Sequence, residues 1–229
     1  MIGIIGAMAE EIIRLKEAMA EIEIIELANK TFYKGKLAGK TIVLVESGIG
    51  KVNAALVTTL LLNHFPINLL INTGTAGSLD PAVKLGDVVI AHSLTYHDVD
   101  VTGFGYERGQ MAGMPSLYYP DSQLIRLSQA VVRGMGIEPI VGQIVSGDQF
   151  INSIEKTQEI RASFPRARAC EMESTAIAQV AQVLEVPFVI IRAISDNADH
   201  YASVSFDDFV LEAGAKSAQM VASLLAVVD

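Results

Sequence analysis

The stretch Val186-Pro-Phe-Val-Ile-Ile-Arg-Ala-Ile-Ser-Asp196 decides how the chain is read. After Pro187, Phe188, Val189, Ile190 and Ile191 run on without a polar break, the pattern of a strand buried on both faces in an α/β sheet. Arg192 then interrupts the apolar run, and Ser195-Asp196-Asn197 ends it on short polar side chains. In open α/β sheets, ligands sit just beyond the carboxyl ends of the strands. Asp196 therefore stands where a carboxylate can do proton chemistry. An Asp at a strand end also opens turns or caps the next element, and both readings stand at this point.

Working outward, apolar strand-like runs alternate with helical patterns. Strands are expected over Ile2–Ile5, Ile22–Leu27, Thr31–Leu37, Thr41–Glu46, Asn68–Asn72, Asp87–Leu94 and Ile140–Val145. Helices are expected from about Ala9 to Ala20, from Gly48-Ile-Gly50 through Leu62, and over Asp121–Arg133, Ile154–Ser163 and Glu173–Leu184. The last is expected from about Phe206 to Val227. Gly39 and Lys40 mark a hairpin-like turn. The segment from about Tyr96 to Pro120 is irregular and rich in Gly, Pro, Met and aromatics; loops of that length are usually functional or interfacial. With no linker, repeat or low-complexity tract, residues 1–229 read as a single α/β domain with a mixed sheet.

Composition narrows the function classes. The 229 residues are 51% hydrophobic, more apolar than an ordinary globular chain, and carry a formal net charge of -9. With a pI near 4.9, no basic stripe is available for a nucleic-acid backbone. Cys170 is the lone cysteine, so no internal disulfide forms and a reducing, cytoplasmic home is expected. No apolar run approaches the ~20 residues of a membrane span, and strand character from Ile2 onward leaves no room for a signal peptide.

Three glycine turns follow strand-like runs, where nucleotide motifs occur. Gly3-Ile-Ile-Gly6 is wrongly spaced for a dinucleotide fingerprint, and Ser47-Gly-Ile-Gly50-Lys51 lacks the spacer and the Ser/Thr of a phosphate loop. Asn72-Thr-Gly74-Thr75-Ala76-Gly77 reads as a turn of small residues at a strand end, either a place where a ligand meets backbone closely or a tight turn alone.

Two further carboxylates stand out. Helical spacing aligns Met8, Ile12, Leu15 and Met19, with Glu10 opposite and Glu11 flanking the stripe. Glu11 is thus expected to be partly buried, where desolvation strengthens a carboxylate as a base, although acidic residues also suit a helix N-terminus. Glu173 in Cys170-Glu-Met-Glu173-Ser-Thr-Ala lies where a strand-like run meets an Ala-rich helix; it can accept hydrogen bonds from a vicinal diol or be an ordinary first-turn Glu. Apart from His92 and His97, no histidine has a partner at ligand spacing, and no metal site is expected.

The ordered set Met1-Ile-Gly-Ile-Ile-Gly-Ala-Met8…Glu11, Ser47-Gly-Ile-Gly-Lys-Val, Asn72-Thr-Gly, Tyr96-His-Asp-Val-Asp, Phe104-Gly-Tyr, Val145-Ser-Gly-Asp148-Gln-Phe-Ile, Glu171-Met-Glu173 and Arg192-Ala-Ile-Ser-Asp196 resembles the bacterial 5′-methylthioadenosine/S-adenosylhomocysteine nucleosidases over essentially the whole chain. The resemblance implies a nucleoside-phosphorylase-like three-layer α/β/α sandwich with a central mixed β-sheet, a homodimer, and hydrolysis of the adenine N-glycosidic bond in nucleoside thioethers without a cofactor. It implies that Glu11 activates the attacking water, Glu173 holds the ribose hydroxyls with Met172 on the sugar, and Asp196, supported by Ser195, protonates adenine N7. It further implies that Phe150 and Ile151 flank the purine, that Met8, Ile49 and Phe206 wall the 5′-thio substituent, and that Val101, Phe104 and Tyr106 are lent by the neighbouring subunit. Thr75, Ala76 and Gly77 would line the site near the water.

Three positions depart from the family pattern: Thr75 stands where Ser is usual, Ser174 where Ala or Gly is usual, and Ala112 where Pro is common. A phosphorylase of the same fold is the nearest rival. Such enzymes carry Arg two residues before the central glycine, where this chain has Asn72, and Glu11 would repel phosphate. A non-catalytic nucleoside-binding protein is the other rival; both Glu11 and Asp196 are retained, which favours an enzyme. Aminodeoxyfutalosine is a further substrate that the 5′ pocket would decide.

Overall fold

Ile2–Gly6 forms β1, buried throughout because its side chains face apolar layers on both sides: Ile2 and Ile4 one, Ile5 the other. The computed structural model describes residues 1–199 and 201–228. Helix α1 (Ala9–Ala18) follows, then the strands β2 (Ala20–Leu27), β3 (Lys30–Leu37) and β4 (Lys40–Glu46). Two-residue turns join these three strands, with Ala28-Asn29 and Ala38-Gly39 both at positive φ, the twist that antiparallel hairpins favour. Next come α2 (Lys51–His64), β5 (Leu69–Ser78), β6 (Val88–Tyr96), α3 (Ser122–Gly134), β7 (Ile140–Ser146), α4 (Ile154–Ser163), β8 (Ala167–Glu171), α5 (Ser174–Val183), β9 (Phe188–Asp196) and α6 (Ala202–Leu225).

Among the described residues, nine strands form one mixed sheet in the order β2-β3-β4-β1-β5-β8-β7-β6-β9. β5 also pairs in parallel with β9, so β5, β8, β7, β6 and β9 close into a ring. Ala54, Val57 and Leu61 of α2 pack with Ile177 and Ala178 of α5 in one apolar cluster. Ile12 and Leu15 of α1, Leu124 and Val132 of α3, and Val221 and Leu224 of α6 form the other. The expected three layers are present, with the added feature that half the sheet curls upon itself. Among the described residues, no helix is long and apolar enough to cross a membrane.

Two expectations need correction. Asn72–Gly77 is not a turn after a strand: β5 continues through Ser78, paired along this stretch with β9. Its small residues look like turn material, but they are small because side chains of the site press against them. A Cβ on Gly74 would collide with Arg192 Nη1 and with the Glu11 carboxylate. The last helix also begins earlier, at Ala202 rather than about Phe206.

Candidate active site

A cavity of about 360 Å³ opens at the carboxyl ends of β1, β4, β5, β7, β8 and β9, within the range of small-molecule sites. Of the residues expected at the site, Met8, Glu11, Ile49, Thr75, Ala76, Gly77, Phe150, Ile151, Met172, Glu173, Ser195, Asp196 and Phe206 all line it. Ala7, Gln149, Cys170 and Glu171 line it too, and sequence reasoning gave them no role. All four lay inside stretches quoted for their neighbours, and none was singled out there.

Glu11 is brought in by the short step from β1 into α1. Its exposure is 1%, so it is fully rather than partly buried. Backbone donors replace water around it: Oε2 accepts from Ala7 N at 2.7 Å and Met8 N at 3.3 Å. Oε1 accepts from Thr75 N at 2.8 Å and from Thr75 Oγ1 at 3.1 Å. Two oxygens locked by short donors from two elements hold the carboxylate in one orientation. Glu10, on the opposite side of the helix, is exposed.

Asp196 ends β9, and its carboxylate accepts from Ala198 N and Ser195 Oγ. Burial pushes its pKa up, and these two hydrogen bonds only partly offset that. Its protonated form therefore persists to higher pH than an exposed Asp would allow.

Glu173 is the N-cap of α5, where β8 gives way to the helix. Oε1 accepts from Gly50 N at 2.9 Å, which joins the α2 and α5 entrances. Burial, reinforced by the neighbouring Glu171, raises its pKa to about 8, against the opposing pull of Arg192.

Arg192 binds these groups together. It is fully buried on β9, with Nη2 2.5 Å from Glu171 Oε2, 3.7 Å from Glu173 Oε2, and Nη1 4.0 Å from Glu11 Oε1. Burial works against its charge, but Glu171, Glu11 and Glu173 outweigh it and raise its pKa. Four carboxyl groups, of Glu11, Glu171, Glu173 and Asp196, line the cavity, with the Arg192 guanidinium beside the first three. Apolar side chains make the remaining walls, with the Phe150 and Phe206 rings edge to face at 6.0 Å.

Val101, Phe104 and Tyr106 do not line this cavity. They lie in the irregular segment after β6, where Thr102–Phe104 forms a single 3₁₀ turn. Phe104 is 86% exposed, Val101 is half-buried against the α2/α5 layer, and the Tyr106 hydroxyl accepts from Gly113 N.

Residues 1–226 match the family model described as the phosphorylase superfamily. The chain is 48% identical to the 5′-methylthioadenosine/S-adenosylhomocysteine nucleosidase of Staphylococcus carnosus, over 98% of this chain and 99% of that one. Among solved structures, the nucleosidase of that name from Neisseria meningitidis, in complex with methylthio-immucillin-A, superposes with a TM-score of 0.97 at 46% identity, covering 99% of each chain. The futalosine hydrolase of Helicobacter pylori is also similar, with a TM-score of 0.95 at 36% identity, covering 99% of this chain and 97% of that one. Near-complete coverage in both directions carries the likeness through sheet, helices and cavity together, and this chain belongs to the 5′-methylthioadenosine/S-adenosylhomocysteine nucleosidase family of the phosphorylase superfamily.

Proposed function

We propose that this protein hydrolyses the N-glycosidic bond of 5′-methylthioadenosine and S-adenosylhomocysteine, releasing adenine and the 5-thio-substituted ribose. One observation carries the reading: Glu11, Glu173 and Asp196, delivered by three different strand ends, line one cavity with apolar walls. As the bond from C1′ to N9 lengthens, its electron pair moves to the base and positive charge builds on the ribosyl group. Asp196 supplies a proton to adenine N7, which makes the neutral base a competent leaving group. Glu11 takes a proton from the water whose oxygen bonds to C1′, and Glu173 accepts hydrogen bonds from the ribose hydroxyls. Carboxylate charge beside the sugar stabilises the ribosyl cation electrostatically.

Water rather than phosphate is the nucleophile. The Asn72 amide is already engaged, donating to Ile5 O at 2.9 Å and accepting from Arg192 Nη2 at 2.9 Å. Arg192 itself is matched by Glu171, so it offers an incoming anion little unopposed charge. The 5′ end of the cavity is walled by Met8, Ile49 and Phe206, and Ile49 is half-exposed. Such an open end tolerates substituents of different length, which keeps a futalosine-type nucleoside in range as a second substrate.

The functional unit in this reading is a homodimer in the reducing cytoplasm. Ile49 at the cavity mouth just before α2, and Val52 and Leu56 on α2, are exposed, as are Phe104 and Tyr119. Exposed apolar and aromatic residues of this kind favour protein contact. The test of the reaction is adenine release from 5′-methylthioadenosine in phosphate-free buffer with a chelator. Full turnover is expected, and strict dependence on phosphate would assign the protein to the phosphorylases instead.

A further inference from the structure

Ser174 is the first residue of α5 and is fully buried behind the cavity wall. Its Oγ lies 2.9 Å from Asn72 Oδ1, 2.8 Å from Glu171 Oε2, 3.2 Å from Arg192 Nε and 2.8 Å from Arg192 Nη2. A hydroxyl has one proton to donate and lone pairs to accept. Ser174 therefore donates to Asn72 or Glu171 while accepting from the Nε–Nη2 edge of the guanidinium. Nη2 also donates to Asn72 and Glu171, so that inner edge is enclosed. The outer nitrogen is not: among the described residues Nη1 reaches only Thr75 O, at 3.4 Å, and stands 4.0 Å from Glu11 Oε1.

Thr75 meets the same assembly from the other side. Its N–H and hydroxyl both hold Glu11 Oε1, and its carbonyl faces Arg192 Nη1. A β-branched side chain is stiff about χ1, and with its hydroxyl committed to Glu11 the rotamer is fixed. Glu11, gripped by Ala7, Met8 and Thr75, cannot follow a guanidinium that drifts. The distance between cation and base is then set by whatever holds the inner edge of Arg192.

We propose that Ser174 is a positioning residue whose hydroxyl fixes the Arg192 guanidinium relative to Glu11, acting as a coupled pair with Thr75 on the opposite edge. The proposal rests on the hydrolytic reading above. Without the hydroxyl, the buried Nε–H loses its acceptor, and the guanidinium turns toward Glu171 to recover one. Positive charge then withdraws from Glu11. Glu173 keeps its own anchor at Gly50 N, so the loss falls on turnover rather than on substrate binding.

The experiment is a double-mutant cycle of Ser174→Ala and Thr75→Ser, with adenine release from 5′-methylthioadenosine resolved into kcat and KM. Ser174→Ala is expected to lower kcat about 3- to 10-fold, the size of one buried hydrogen bond, with KM nearly unchanged. In the Thr75→Ser background, where the freed rotamer loosens the hydroxyl's hold on Glu11 Oε1 and on its distance from Arg192 Nη1, the same change is expected to cost less than about 2-fold, a coupling that independent sites do not show. Ser174→Cys, which keeps a side-chain atom at this position and weakens the hydrogen bonds, repeats the kcat loss should the alanine variant fold poorly. Variants whose kcat matches wild type, or a loss equal in both backgrounds, overturn the proposal. A wild-type protein that releases no adenine defeats the hydrolytic reading itself, and the positioning role with it.

Discussion

The Ser195 hydroxyl donates to Asp196 Oδ2 at 2.9 Å, one of two hydrogen bonds that favour the ionised carboxylate in a buried setting that opposes it. Asp196→Asn keeps the shape and removes the acid, so kcat is expected to fall by about 10²–10⁴-fold, or roughly 3–5.5 kcal/mol of barrier. Ser195→Ala acts differently. Loss of a donor to the carboxylate raises the Asp196 pKa further, so the alkaline limb of the kcat profile should move to higher pH. A limb that moves to lower pH would show that another group sets it.

Glu11 and Glu10 are adjacent in sequence and opposite in setting, one locked by four donors and one exposed. Glu11→Gln should cost about 10²–10⁴-fold in kcat while a transition-state-like inhibitor still binds in part. Glu10→Gln should be nearly silent. Steady-state rates of the two variants side by side check this, and a reversed outcome would refute the proposed base.

Much of this was legible in the sequence, and the failures share a physical cause. The β9 run, the α1 stripe and the hairpin at Gly39 were readable because strand burial, helical periodicity and turn chemistry are local. Glu11, Glu173 and Asp196 were legible because each sits at a junction of elements. Arg192 read only as a break in an apolar strand, since its partners Asn72, Glu171 and Ser174 are 120, 21 and 18 residues away and only the closed ring unites them. The continuation of β5 past Asn72 was hidden for the same reason: the smallness of Gly74 answers Arg192 and Glu11, not a turn.

Glu173 links the site to stability. Its pKa of about 8 in the folded protein lies above the ordinary glutamate value of 4.5, so the folded state holds the proton more tightly than the unfolded chain does. That contribution is fully present below the unfolded pKa and is lost as pH rises through about 8. Glu173→Gln stays neutral throughout. The Tm of wild type should therefore fall behind that of Glu173→Gln as pH is raised from 5 to 9, as followed by thermal unfolding without ligand. Parallel curves would show that Glu173 ionises normally in the free protein.

Composite sites across a dimer predict complementation. A Phe104→Ala/Tyr106→Ala protein and an Asp196→Asn protein should each be nearly inactive. In a mixed dimer one site carries both defects and the other neither, so mixing after reversible dissociation should restore about a quarter of the wild-type sites. Inactive parents that stay inactive, with exchange verified by mass spectrometry, would mean that each subunit closes its own pocket.

The central claim is that water, activated at Glu11, attacks C1′ while Asp196 protonates the departing adenine. It is tested most directly by running the reaction in water labelled with heavy oxygen, with and without phosphate, and determining the sugar product by mass spectrometry. One labelled oxygen at C1 of the 5-methylthioribose, at a rate indifferent to phosphate, is the predicted result. A sugar 1-phosphate, or adenine release that stops without phosphate, would contradict it.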